Sequence, residues 1–285
     1  MYTSIKGESV SFVTDDKLRL HGFLMRSNPR RCIISIHGMG GNFYNSYRTM
    51  YLAENLKGFS TFSINTRGHD QVYGTKRING RKLIYMGTGA ERFEECVLDI
   101  RAAIRTLWGM GFRKFVLMGH STGCQKAAYY QYRSKDRRVR ALVLLGPADD
   151  YGSRKRDIRK FRKDISLARR LERQGGGDTP VAELGFFSPR RAMSISDLRN
   201  VEARIFYYDG KLTEFSSIRT PVCAVFGSEE EYRDRDVGEY LDILSRKTGS
   251  RNYRGIVIEG ANHSFTGHES ELAIQINAWL NEVVR

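Results

Sequence analysis

The chain has 285 residues, long enough for one large domain or a domain with an insertion, and 47 Lys and Arg against 32 Asp and Glu give a formal charge of +15. No internal repeat is visible, nowhere do about 18 apolar residues run together, and the opening MYTSIKGESV lacks a basic stretch followed by an apolar core. These features exclude a repeat array and stable membrane insertion, and the expectation is a soluble cytoplasmic protein. The four cysteines, Cys32, Cys96, Cys124 and Cys223, are scattered through apolar surroundings with no C-x-x-C pair, as buried reduced thiols would be, which argues against a cysteine-ligated metal. The basic balance suits nucleic acid, acidic membrane surfaces or anionic substrates, but no helix-turn-helix, zinc-finger or RNP pattern accompanies it, so no nucleic-acid partner is expected.

Residues 8 to 26 alternate like two strands around a turn at Asp15-Asp16. Cys32 to Ile36 form an apolar strand that ends in His37-Gly38-Met39-Gly40-Gly41-Asn42, and a helix follows to about Lys57. The strand Thr61 to Ile64 runs into Thr66-Arg67-Gly68-His69-Asp70. An irregular stretch to Gly89 has Asn79-Gly80 as its candidate tight hairpin turn. A long amphipathic helix opens at Ala90 on Phe93, Val97, Ile100, Ile104 and Leu107. Phe115 to Met118 read as a strand buried on both faces, with a helix starting directly after Ser121, and Ala141 to Leu145 as the next strand.

The pattern breaks at Asp149. Residues 154 to 173 carry ten Lys or Arg against three acids, yet keep an apolar stripe on Ile158, Phe161, Ile165, Ala168 and Leu171, a basic amphipathic helix stopped by Gly175-Gly176-Gly177. Alternation resumes with the strand Pro221 to Phe226, a helix over 237 to 244, the strand Gly255 to Ile258 and a closing helix from about Ser270. Alternating strand and helix predicts a parallel α/β layer. Residues 1–149 and 216–285 are expected to form its core and 150–215 a mostly helical cap over the carboxyl ends of the strands, where such sheets bind ligands. Phe186, Phe187, Phe206, Tyr207 and Tyr208 are either the core of that cap or an aromatic pocket beneath it.

Gly119-His120-Ser121-Thr122-Gly123 is a G-x-S-x-G between a strand and a helix. A serine on so sharp a turn needs small neighbours two residues away on each side, and the turn presents its hydroxyl beside the free N–H groups of the following helix. A serine needs a base. His263, in Gly260-Ala261-Asn262-His263-Ser264 after the strand that ends at Ile258, follows the serine in chain order as the base of such an elbow does, with His268 as the rival. His120 is too close in sequence to reach back to the serine. For the acid that orients the imidazole, Glu230 in Gly227-Ser228-Glu229-Glu230-Glu231 leads, with Glu229 and Glu231 as solvated charges and Asp150 or Asp149 as the other candidates. The N–H groups of Thr122 and of Met39, in the glycine-rich loop, are the candidate oxyanion donors. That loop lacks the spacing of a P-loop or a dinucleotide fingerprint.

His37-Gly38, Arg67-Gly68-His69, the G-x-S-x-G, the acid after Gly227 and Gly260-Ala261-Asn262-His263 together resemble the α/β-hydrolase superfamily over nearly the whole chain. The string GHSTGCQ with TRGHD upstream resembles a branch that includes fungal siderophore-ester hydrolases. The resemblance implies a mostly parallel eight-stranded sheet with helices on both faces and a helical cap, a Ser-His-acid triad of Ser121, His263 and Glu230, and no cofactor or metal. Glutamate at 230 departs from the aspartate common in such proteins. The expected activity is hydrolysis of a small-molecule carboxylic ester through an acyl-enzyme. A thioesterase, an acyltransferase or a small-peptide hydrolase would use the same residues, and a non-catalytic binding protein on this scaffold is the alternative of another class. Oligomeric state is left open, a homodimer included.

Overall fold

The computed structural model describes residues 5–284. Two strands, β1 (Glu8–Val13) and β2 (Arg19–Met25), form an antiparallel hairpin that pairs through β2 with β4 (Ser60–Ile64) at one side of the sheet. Next come β3 (Arg31–Ile36), β7 (Lys114–His120), β8 (Val139–Leu145), β9 (Val222–Glu229) and β10 (Tyr253–Asn262), all parallel. The order is β1-β2-β4-β3-β7-β8-β9-β10. A separate small ribbon pairs β5 (Tyr73–Thr75) with β6 (Ile84–Met86).

The unbroken apolar runs of the central strands follow from burial on both faces. In β7, Phe115 and Leu117 join the core under α2 (Cys96–Gly109), α3 (Thr122–Ser134) and α9 (Val237–Lys247), while Val116 and Met118 join the opposite core with α1 (Tyr47–Asn55) and α10 (Glu269–Val283). Leu142 and Val143 of β8 divide in the same way. The chain leaves β3 through α1 toward β4, then returns through α2 to β7 on the other side of β3. The strand order therefore reverses between β3 and β7, and ligands in such sheets bind beyond the carboxyl ends at that point.

Between β8 and β9 lie five short to medium helices: α4 (Asp150–Lys155), α5 (Ile158–Arg173), α6 (Pro189–Ser194), α7 (Val201–Arg204) and α8 (Thr213–Ser216). A small core of Ala168, Leu184, Phe187, Ala192 and Ile195 holds part of this segment, and Met39 packs against it.

Several boundaries differ from the sequence reading. The basic stretch 154 to 173 is two helices, because the Asp157 side chain caps α5 by accepting from the Lys160 N–H and so starts a new helix there. The helix expected at Ala90 begins at Cys96 after a single 3₁₀ turn, since Glu91 is drawn into a buried ion pair. Asn79 has φ of 63°, as a turn residue should, but the turn lies within an eight-residue connection between β5 and β6 and makes no tight hairpin. Strand β10 continues through Glu259 to Asn262, past an irregularity in its pairing with β9, where a loop was expected.

Arg67, in the turn after β4, is fully buried. Its side chain pairs with Asp99 of α2 at 2.8 Å and with Glu95 and Asp16, and its backbone N–H donates to Asp99 at 2.9 Å. One guanidinium thus ties the β1–β2 hairpin, β4 and α2 together from inside. The neighbouring Gly68 has a steric reason: a Cβ there would lie 2.0 Å from a Glu91 carboxylate oxygen.

Candidate active site

Ser121 sits between β7 and α3 with φ of 53° and ψ of −127°, a strained conformation for a residue with a Cβ. Its surroundings enforce the turn. A Cβ on Gly119 would lie 2.3 Å from the Gly123 carbonyl oxygen, and one on Gly123 would lie 2.3 Å from that of Ile36, at the end of β3. Both glycines are therefore required by backbone approach, one within the turn and one between α3 and the next strand. A Cβ on Gly38 would meet the Ser121 Cβ at 2.9 Å, so the glycine-rich loop lies directly against the serine.

That loop is held at several points. His37 is buried, and its Nε2 accepts from the Thr66 N–H at 3.1 Å, so Nδ1 carries the proton and donates to the Gly38 carbonyl at 2.8 Å. Burial, with Lys126 adding to it, pushes His37 down to about 3, which keeps this tautomer neutral across the physiological range. The Gly41 N–H donates to Gly38 O at 3.1 Å, the Gly40 N–H to Thr88 Oγ1 at 2.9 Å, and the Asp70 N–H to Gly41 O at 3.0 Å. The Met39 N–H takes part in none of these bonds. Met39 and Thr122 both line a cavity of about 640 Å³ together with Ser121 and His263.

His263 follows β10 directly. Its Nδ1 and Glu230 Oε2 are 2.7 Å apart and both side chains are buried. A carboxylate only accepts, so Nδ1 bears the proton and Nε2 is the nitrogen left with a lone pair. Glu230 stands one residue beyond the end of β9, and Gly146, at the end of β8, is packed beneath the pair, where a Cβ would lie 3.0 Å from His263 and 3.4 Å from Glu230.

Two residues do more than the sequence reading assigned them. Glu231, expected to be a merely solvated charge, accepts from the His263 backbone N–H at 2.6 Å, because the chain beyond Glu230 folds back along the His263 loop. His120 donates from Nε2 to the His263 carbonyl at 3.0 Å, and the two rings lie 4.8 Å apart. Burial holds His120 well below its ordinary range, so it is a neutral donor. Its closeness in sequence to the serine hid this role, which depends on β10 ending beside β7's loop. Glu229 is exposed. His268, half-buried at the N-cap position of α10 with no capping bond from its side chain, has Nδ1 near the Thr266 carbonyl and does not line the cavity. Asp149 caps α4 by accepting from the Gly152 N–H at 2.7 Å. Phe206 and Tyr208 belong to the main core and Phe187 to the small core of the inserted segment; none of the five aromatic candidates lines the cavity.

Beneath the site runs a buried chain of charge. Lys126 of α3 pairs with Glu91 at 2.8 Å and donates to Thr66 Oγ1 at 3.2 Å; Glu91 lies 3.5 Å from Arg191 of α6, which pairs with Glu202 of α7 and donates to the Thr88 carbonyl at 2.8 Å. The same Thr88 holds Gly40. Among the described residues no cluster of three His, Cys, Asp or Glu is arranged to hold a metal ion, and no helix is long and apolar enough to cross a membrane.

Comparison with known proteins agrees with this architecture. The family model described as alpha/beta hydrolase fold matches residues 32–167. An esterase from Pyrococcus furiosus superposes with a TM-score of 0.64 at 16% identity, over 98% of this chain and 92% of its own. A monoacylglycerol lipase from Paleococcus ferrophilus gives 0.64 at 19% identity over 93% and 99%, and a carboxylesterase from Bacillus subtilis 0.61 at 17% over 98% and 92%. No curated protein matches the sequence. The chain has the alpha/beta hydrolase fold. These three solved structures are of two esterases and a lipase.

Asp150 lines the cavity as well, accepting from Gln125 Nε2 at 2.9 Å. Burial, with Glu202 adding to it, pushes it up to about 7 from 3.8. The folded chain therefore binds more protons at this carboxyl than the unfolded chain between about pH 4 and 7, and ionisation there costs stability as pH rises through that window. Asp150→Asn should melt about 2–4 °C above the parent at pH 8 and level with it near pH 4, read by thermal unfolding at both. A gap that does not change with pH would contradict the assignment.

Proposed function

We propose that this protein is a serine hydrolase of carboxylic esters, working through an acyl-enzyme with no cofactor. The observation that carries the proposal is the meeting, at one cavity, of a serine on a strained turn and a histidine whose Nδ1 is committed to a buried carboxylate. In this reading Ser121 Oγ attacks the ester carbonyl carbon and its proton passes to His263 Nε2. Glu230 holds the imidazole in the tautomer that has a lone pair at Nε2, and stabilises the imidazolium once it forms. The Met39 and Thr122 N–H groups stabilise the oxyanion. The imidazolium then protonates the departing alcohol. Water, deprotonated by the same nitrogen, attacks the acyl carbon, and the tetrahedral intermediate collapses by breaking the bond to Ser121 Oγ, which takes the proton back from His263 as the acid leaves. Glutamate at 230 is one methylene longer than aspartate, and its position immediately after β9 supports the role despite that difference.

The helices between β8 and β9 serve in this proposal as a cap, residues 150–215, over a core of 1–149 and 216–285. Their contact with the oxyanion loop through Met39 and through Arg191 and Thr88 supports that division. A small-molecule ester is the proposed partner, and a cytoplasmic setting suits the four buried free cysteines.

Ser121→Ala is expected to lower kcat on p-nitrophenyl esters on the order of a million-fold, and Glu230→Gln by about a hundred- to ten-thousand-fold. Comparable turnover by Ser121→Ala would refute the proposal. His120→Phe removes the donor to the His263 carbonyl. It should lower kcat about 10- to 100-fold with little change in KM, and His120→Gln, which retains an N–H donor, should recover most of the loss. Equal loss in both variants would reduce His120 to a packing residue.

A further inference from the structure

The cavity contains two arginines in different states. Arg154 of α4 is matched: it lies 3.3 Å from Asp164 and donates to Ser196 Oγ at 3.1 Å. Arg48, the second residue of α1, is not. Among the described residues its side chain makes one hydrogen bond, from Nη1 to the Ser264 carbonyl at 3.0 Å, and forms no ion pair with any carboxylate. Glu269, at the start of α10, lines the same cavity beyond ion-pair reach. Arg48 is half-buried, and partial desolvation lowers it to about 10, so it remains cationic at neutral pH.

A guanidinium carries five N–H donors in a planar fork that matches a carboxylate, and most of this fork is uncommitted. A ligand anion in the cavity would supply the ion-pair partner that the guanidinium lacks. The place is specific. Ser264 follows His263, and α1 follows the oxyanion loop, so Arg48 bridges the two segments that flank the reacting centre. Asp150, the other carboxyl in the cavity, is bonded to Gln125 of α3 and forms no ion pair with Arg48.

We propose that Arg48 is a specificity-determining residue that binds a second, anionic group of the substrate, and that the preferred substrates are half-esters of dicarboxylic acids. This rests on the ester-hydrolase reading above. The free carboxylate accepts from Arg48 while the ester carbonyl lies at Ser121.

The test compares kcat/KM for mono-p-nitrophenyl glutarate with that for p-nitrophenyl valerate, of similar length and without the charge. The parent should favour the glutarate. Arg48→Gln should lower the glutarate-to-valerate ratio about ten- to a hundred-fold, the loss of a charged hydrogen bond, and Arg48→Lys should fall between them. Because each ratio is internal to one protein, a general loss of folded enzyme does not move it. Arg48→Glu should further reverse the preference, toward an ester of trimethylaminobutyric acid. A ratio that changes less than two-fold in Arg48→Gln would overturn the inference and leave Arg48 as a structural tie to Ser264, with the hydrolase reading intact. Should the parent cleave neither ester, the hydrolase reading fails and calorimetry with glutarate decides the anion site alone. Binding by the parent that is lost in Arg48→Gln would sustain the site, and equal binding or none would end it.

Discussion

The whole arrangement depends on a close approach of backbone to backbone. Gly123, in the first turn of α3, lies so near the carbonyl of Ile36 that no side chain fits between them, and Gly119 is equally tight against Gly123. This contact fixes α3 against the end of β3, and the serine between the two glycines is forced to a positive φ. The local strain costs on the order of 1–3 kcal/mol, and it persists because the core on both faces of β7 offsets it. The serine, the N-terminus of α3 and the loop after β3 then converge without any of them being able to relax alone. Central strands buried on both sides are what make such a turn sustainable.

Around that point the fold spends buried charge on alignment. Arg67 with Asp99, and Lys126 with Glu91 and Arg191, are taken out of water, which is seldom a net gain in stability compared with apolar residues of similar size. What they provide is direction. Lys126 and Glu91 link α3 to the segment before α2, Arg191 links both to the helices between β8 and β9, and Thr88 carries the connection to the Gly40 N–H. A displacement of α6 would break the Arg191 bond to the carbonyl of Thr88, the residue whose Oγ1 holds the Gly40 N–H. His120 does the same for the other side of the site by holding the His263 carbonyl.

The parallel sheet was legible because strands buried on both faces leave continuous apolar runs, as in Phe115 to Met118, and because helices α2 and α10 carry clear apolar stripes. The serine turn was legible because its two glycines are a local requirement. The pairing of Glu230 with His263 was legible from their place after successive strands. Helix starts were less visible. Cys96 begins α2 only because Glu91 is captured by Lys126, 35 residues away in sequence, and no local pattern records that. The division of α4 from α5 was legible in principle, since Asp157 is a good N-cap, but the apolar stripe masks it. Glu231, His120 and Arg48 owe their positions to contacts between segments distant in the chain, as when the Ser264 carbonyl meets Arg48 across 216 residues. Periodicity has no access to such contacts.

The account stands or falls on whether Ser121 is an activated nucleophile. Incubation of the folded protein with a fluorophosphonate, followed by peptide mass spectrometry, reads this without reference to any substrate. The account predicts rapid labelling at Ser121, one adduct per chain, abolished in a His263→Ala variant that remains folded. Absence of labelling, or labelling of Ser121 that proceeds as fast without the imidazole, would contradict it.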